Sequence, residues 1–240
     1  MNNIYKELRS DLSSSCIISQ LKITKTDISL DGTKKVLFEL EDGNRIESVL
    51  IPARNHFTVC ISSQVGCAMG CKFCLTGGMG LKRNLAPGEI VGQVVKVRNW
   101  LHDIDPESTL SNIVFMGMGE PLANFDNLLI ALEILTDQRG LDFSDRRITV
   151  STCGLVPKII ELGQKTKANL AVSLHSVDDS IRSRLMPVNK KYPVADLLEA
   201  CKNFPMPKRK RIMFEYILIK DLNDSVSDAE NLAEKLREIP

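Results

Sequence analysis

From Pro87 onward the sequence repeats one order, an apolar run followed by a segment of helical period, and this order limits the fold more than any other feature. The apolar runs read as strands at Asn112 to Gly117, Arg147 to Thr152, Asn169 to His175 and Arg211 to Lys220. Helices are expected over 88–102, 125–138, 156–165, 178–185, 194–203 and from about 226. Strands alternating with helices of that length pair in parallel as βαβ units, so the chain is of the α/β class. The stretch "FTVCIS" adds a strand in front, giving about five parallel strands, and no further strand follows the last helix before Pro240. A closed eight-strand barrel is thereby excluded and an open or partial barrel fits.

Upstream, residues 34–51 alternate apolar and polar around "EDGN". That pattern predicts a β-hairpin of Val36 to Leu40 and Ile46 to Ile51 with Gly43 in the turn. A chain of 240 residues with 43% hydrophobic content can bury a full core. It shows neither an export signal nor an apolar run of roughly 18 residues, so a cytoplasmic protein without a membrane span is expected. Seven cysteines, an odd number in such a chain, argue for reduced thiols rather than a disulfide framework. The net charge of +1 hides basic clusters at Lys82-Arg83, Lys190-Lys191 and Lys208-Arg209-Lys210-Arg211. Each is either a solvated face or a phosphate-binding surface.

In such folds chemistry collects at the carboxyl ends of the strands, and the polar, glycine-rich stretches fall there: "CAMGCKFC", "GMGEP", "STCG" and "SLH". Within "GCAMGCKFC", Cys67, Cys71 and Cys74 are spaced for one short loop to wrap a small inorganic body. Zinc normally takes four protein ligands, and the nearest fourth, Cys60, would have to fold back from a strand. An iron–sulfur cubane held by three thiolates leaves one iron open to an outside ligand. Gly66 and Gly70 permit the backbone turns such a loop needs, and Phe73 is placed to shield a cluster from water.

The C-x3-C-x2-C loop resembles that of the radical S-adenosylmethionine superfamily, where it follows the first strand of a partial six-strand β/α barrel. The stretches "FTVCISSQVGCAMGCKFCLTGGMGLKRNL", "VFMGMGEPLANFDN", "ITVSTCG", "LAVSLHSVDDSIRSRLMPVNKKYP" and "FEYILIKDLND" are similar, in order, to the bacterial adenine-C2 RNA methyltransferases of that superfamily. The resemblance covers nearly everything from residue 27 on and implies a partial (β/α)6 barrel. It divides the chain into a remnant of an amino-terminal helical region (1–26, with a helix around 2–12), a β-hairpin extension (27–59) and a barrel core (60–240). It further implies that the chain is an incomplete copy, since the family's methyl-accepting cysteine has no counterpart at Cys16, Cys153 or Cys201.

By the same resemblance Cys67, Cys71 and Cys74 would hold a [4Fe-4S] cluster, and Gly119, Glu120, Ser151, Ser173, Leu174 and His175 would contact S-adenosyl-L-methionine. Cys60 would be a resolving thiol, accessible and partly ionised, that ends turnover in a disulfide with the methyl-carrying cysteine. Glu47 would accept the adenine C2 proton. The implied partners are 23S ribosomal RNA and, in many members, transfer RNA, with a low-potential flavodoxin or ferredoxin as electron donor; nothing suggests an oligomer. Two alternatives stay open at this stage: a related enzyme acting at adenine C8, and a zinc- or cluster-bearing RNA-binding module without activity.

Overall fold

The computed structural model describes residues 5–16, 21–54, 56–206 and 210–239. Eight strands form the main sheet in the order β1 (Lys22–Ile28), β2 (Lys34–Glu39), β3 (Arg45–Pro52), β4 (His56–Cys60), β7 (Thr109–Phe115), β8 (Ile148–Thr152), β9 (Asn169–Ser173) and β10 (Met213–Glu215). The first four pair antiparallel, and β4, β7, β8, β9 and β10 pair parallel. A separate ribbon of β5 (Gln64–Cys67) and β6 (Gly80–Asn84) stands between β4 and the first long helix. The helices are α1 (Lys6–Ser15), α2 (Leu75–Gly78), α3 (Pro87–Ile104), α4 (Phe125–Thr136), α5 (Val156–Lys165), α6 (Asp179–Leu185), α7 (Val194–Lys202) and α8 (Val226–Leu236).

The parallel strands lie side by side in sequence order. Right-handed crossovers then put their helices on one face of the sheet, the winding of an open, partial barrel rather than of a doubly wound sheet. Alternation sorts the side chains accordingly. Val59, Ile113, Phe115, Ile148, Val150, Leu170 and Val172 point to the helices and are fully buried. Each contributes roughly 1.5–3 kcal/mol of burial.

The hairpin forms where expected, closed by a turn in which Gly43 takes φ 77° and the Asp42 carboxylate accepts the Asn44 amide. Strand β1, pairing with β2, has no counterpart in the expected elements and crosses the anticipated boundary between residues 26 and 27. Only Ile23 of this strand is partly buried, so its sequence lacks the alternation that marks a strand. The last strand covers only Met213–Glu215 of the expected Arg211 to Lys220. Helix α1 runs Lys6–Ser15, shifted from 2–12; residues 2–4 lie outside the described part. Among the described residues no helix is long and apolar enough to cross a membrane.

Candidate functional site

The three clustered cysteines are carried by the β5–β6 ribbon. Cys67 ends β5 opposite Gly80, while Cys71 and Cys74 lie in the tip, where the Cys74 amide donates to the Cys71 carbonyl at 3.2 Å and α2 starts immediately after. Two glycines fix this path. Gly66 has φ 76°, and a Cβ there would sit 1.9 Å from the Gly80 carbonyl oxygen; at Gly77 it would lie 3.0 Å from the Cys71 nitrogen. The base of the ribbon is tied to the sheet. The Ser63 and Gln64 amides both donate to the Met118 carbonyl, and the Asn124 side chain donates to the Ser63 and Leu85 carbonyls at 2.8 Å each. At the tip, the Lys72 amide donates to the Leu185 carbonyl at 2.8 Å.

Cys67 is buried, and Cys71 and Cys74 are half-buried. Burial, with repulsion from the Glu120 carboxylate and from neighbouring thiolates, raises the Cys67 thiol and pushes Cys71 up to about 11. Such a set holds its ionised form only around a cationic body. Among the described residues no three His, Cys, Asp or Glu side chains converge on a single-ion position, whereas zinc needs four donors at about 2.3 Å. Cys60 offers no fourth ligand, its thiol being near the Met116 amide and the Glu215 carboxylate. Three mutually coupled thiols on one concave wall suit the wider frame of an iron–sulfur cluster, with Met69, Leu185 and Met186 packed as an apolar backing around Cys71. Phe73 is a weaker shield than expected. It is 38% exposed, and its ring meets the His175 ring edge-on at 4.6 Å.

The cysteines line one side of a cavity of about 390 Å³, and the ends of β7, β8, β9 and β10 line the rest. The strand registers explain how distant residues meet there. Val49 lies opposite Cys60, Cys60 opposite Val114, Val114 opposite Thr149, Ser151 opposite Ala171, and Ser173 opposite Glu215. Since side chains alternate, Glu47, Cys60, Ser151, Ser173 and Glu215 share the face turned away from the helices.

Glu120 is 4% exposed. Its carboxylate accepts the Leu122 amide at 3.0 Å and the Cys153 amide at 2.8 Å, and its own amide donates to the Gln64 side chain at 2.9 Å. Burial raises its pKa, an effect the Cys153 amide opposes most. Gly119, at φ 99°, is required by the ribbon itself, because a Cβ there would lie 2.5 Å from the Gln64 Cβ. Ser173 donates to Glu215 Oε2 at 2.8 Å and Ser151 reaches the same oxygen at 3.4 Å. His175 stands at φ 59°; its Nδ1 accepts the Ile217 amide at 3.1 Å, and burial, with the nearby Arg182 charge, pushes its pKa down to about 4.

Other expected residues stand differently. The Leu174 side chain is fully buried in the main core and does not line the cavity; only its backbone is engaged, receiving Arg182 and donating to the Glu215 carbonyl. Cys60 is 8% exposed and burial pushes its thiol up to about 11, so it is neither accessible nor partly ionised. The expected disulfide is not found: all seven cysteines are free. Cys16 is exposed after α1 and Cys201 is buried in α7, whereas Cys153 lines the cavity beside Glu120. Glu47 is half-exposed and paired with Lys35 at 3.2 Å.

Of the basic clusters, Arg83 is withdrawn from any phosphate surface, because it donates twice to Glu89 at 2.8 Å and once to Asp42 at 2.6 Å. Lys82 reaches Asn44 at 3.3 Å, Lys190 and Lys191 are exposed, and Lys208 and Arg209 lie outside the described residues. Sequence reasoning missed Glu215 and Tyr216 at the site; a single carboxylate inside the apolar run "MFEYILI" was the available signal.

The family model described as the Radical SAM superfamily matches residues 61–236. The dual-specificity RNA methyltransferase RlmN of Desulfosudis oleivorans is 54% identical over 240 residues, covering 100% of this chain and 64% of that protein. The protein of the same name from Geotalea uraniireducens is 52% identical, with 68% of its length covered. A crystal structure of a radical SAM methyltransferase from Sphaerobacter thermophilus superposes with a TM-score of 0.92 at 44% identity, over 99% of this chain and 70% of that one. The chain belongs to the radical SAM superfamily and, within it, to the RlmN family, and it spans about two thirds of the length of these relatives.

Proposed function

We propose that this chain carries the catalytic core of a radical S-adenosylmethionine RNA methyltransferase acting on C2 of adenine in 23S ribosomal RNA and in transfer RNA. The observation that carries the reading is the single cavity shared by the Cys67, Cys71 and Cys74 thiols and by the polar ends of four parallel strands. The RlmN relatives, at about half identity, add support.

In this reading Cys67, Cys71 and Cys74 hold a [4Fe-4S] cluster. When bound with S-adenosyl-L-methionine, the cluster supplies one-electron reduction of the sulfonium. The remaining lone pairs of the Glu120 carboxylate accept the methionine ammonium, which the Gly119 backbone lets approach closely. Ser151, Ser173 and His175, with Glu215 behind the serines, orient the nucleoside end, and Leu174 serves through its backbone. On the same face, Cys60 is the resolving thiol, its proton passing to the nearby Glu215 carboxylate as it attacks, and Glu47 is the proton acceptor for C2 once released from Lys35. Lys190 and Lys191 offer exposed charge for RNA phosphates. A flavodoxin or ferredoxin donor, a monomeric state and a cytoplasmic setting complete the reading.

The test is reconstitution without oxygen, counting iron, sulfide and zinc, followed by assay for 5′-deoxyadenosine and analysis of the modified base. Four irons with S-adenosylmethionine cleavage, and loss of iron–sulfur absorbance in Cys71→Ala, are expected. Zinc in place of iron would overturn the reading, and methylation at C8 would correct its specificity.

A further inference from the structure

Arg182, on α6, is the largest fully buried side chain of the fold. Its Nε donates to the Leu174 carbonyl at 3.1 Å and its Nη1 to the Asn189 side chain at 2.7 Å. Its Nη2 donates to the Cys153 carbonyl at 2.8 Å and the Ser173 carbonyl at 3.1 Å. Every one of these acceptors is neutral. Among the described residues no carboxylate lies within ion-pair distance of the guanidinium; Asp179 stands one step away, holding Asn189 at 2.8 Å. A buried charge costs several kcal/mol, which hydrogen bonds to neutral carbonyls offset while leaving the net charge itself uncompensated.

What the polypeptide leaves unpaired on one side, it leaves unpaired on the other. Arg182 grips the carboxyl ends of β8 and β9, and the Cys153 residue it holds lines the same cavity as Cys67 and Cys71. The α6 helix that carries it also receives the Lys72 amide of the cysteine tip at its Leu185 carbonyl. The negative charges that act on the guanidinium are, in order, those of Cys153 and Cys71 as thiolates, of Asp179 and of Cys201, and its own charge is felt at His175. Three thiolates around a cubane core leave the assembly anionic, and reduction adds a further negative charge. Net charge and buried electrostatics are among the factors that set a cluster's reduction potential.

We infer that Arg182 is a positioning residue with a second role: it locks the β8 and β9 ends around the cavity, and its unpaired charge is the counter-charge that eases reduction of the cluster held by Cys67, Cys71 and Cys74. This rests on the cluster assignment proposed above. Neutralising Arg182 lowers the cluster's reduction potential, while an ammonium at the same position preserves the potential and loses the four-way grip.

The experiment is a redox titration, followed by electron paramagnetic resonance, of the reconstituted cluster in the wild type, Arg182→Lys and Arg182→Gln, with thermal unfolding alongside. Both variants are expected to unfold at lower temperature, but only Arg182→Gln should shift the potential to more negative values. A wild-type potential in Arg182→Gln, or an equal shift in both variants, overturns the inference. Should Arg182→Gln fail to take up iron, Cys201→Asp answers the same question. Cys201 shares a helix face with Leu197, which packs beside Gly154 next to the guanidinium, and lies within electrostatic reach of it, so a carboxylate there sets a negative charge against Arg182 in place. Its potential is expected to fall against Cys201→Ser, and an unchanged value overturns the inference. A wild-type chain that binds no four-iron cluster removes the cluster assignment instead, a result read from iron and sulfide content alone.

Discussion

Ser173 and Ser151 both direct their hydroxyl hydrogens at one oxygen of Glu215, at 2.8 and 3.4 Å. The serine lone pairs are thereby turned toward the cavity, and the other carboxylate oxygen stays open, a wall that accepts hydrogen bonds from a hydroxyl-bearing ligand. Replacing Glu215 by Ala should weaken S-adenosylmethionine binding about tenfold, the loss of one charge-assisted hydrogen bond of about 1.4 kcal/mol. Equilibrium binding to the reconstituted protein measures this; an unchanged affinity would remove Glu215 from the site.

Gly66 and Gly43 have nearly the same backbone angle, φ 76° and 77°, in very different surroundings. At Gly43 a Cβ meets nothing within 4 Å, so Gly43→Ala should cost only about 1–2 kcal/mol, the penalty of the left-handed conformation. At Gly66 the methyl would collide with the Gly80 carbonyl at 1.9 Å and force the ribbon apart. Gly66→Ala should cost clearly more, roughly 3 kcal/mol or above, and reduce iron uptake. Urea unfolding of the two variants decides it, and equal costs would mean that the ribbon gives way freely.

The pH dependence of stability carries the mark of His175. Its ring is held neutral with a pKa of about 4, against roughly 6.5 in an unfolded chain. Below 6.5 the unfolded state gains a proton that the folded state refuses, so the stabilising contribution is complete above pH 6.5 and is lost as pH falls toward 4. His175→Asn keeps a residue that tolerates the left-handed backbone but does not titrate. Between pH 7.5 and 5 the wild type should lose roughly 1–2 kcal/mol more than this variant. Parallel slopes in denaturant titrations would contradict the assignment.

Arg83 ties β6 to the first turn of α3 through Glu89 and to the β2–β3 turn through Asp42. Arg83→Ala should therefore loosen the hairpin, with faster amide exchange at residues 40–46 and about 1–2 kcal/mol of lost stability, reduced at high salt. RNA affinity should instead respond to Lys190→Ala and Lys191→Ala. A variant that lost RNA binding at full stability would restore Arg83 to the phosphate surface.

The parallel half of the fold was legible because its long helices and its strands, apart from the short last one at Met213–Glu215, declare themselves by period, and "FTVCIS" and the three cysteines could be set at the mouth of the barrel from order alone. What stayed hidden depended on pairing across long stretches. Strand β1 is mostly solvated on both faces and offers no alternation to read. The ribbon joins Gln64 to Asn84 over a loop whose glycines and cysteines look like a turn, not a sheet. Glu215 gains its role only from the register that sets it opposite Ser173. Arg83 reads as surface charge until Asp42 and Glu89 are seen around it. Cys60 was placed correctly on its strand, but spacing says nothing of burial, and burial reverses the ionisation expected of it.

The ribbon that carries the cysteines shares no backbone ladder with the main sheet; its foot is moored at Ser63, Gln64 and Leu85, and its tip by the single bond from the Lys72 amide to the Leu185 carbonyl and by apolar packing of Met69 and Cys71. A mount fastened firmly at its foot and by one backbone bond at its tip can adjust around an inorganic guest while the barrel behind it keeps its register. Loading and loss of that guest then become local events, separable from the folding of the domain that will use it.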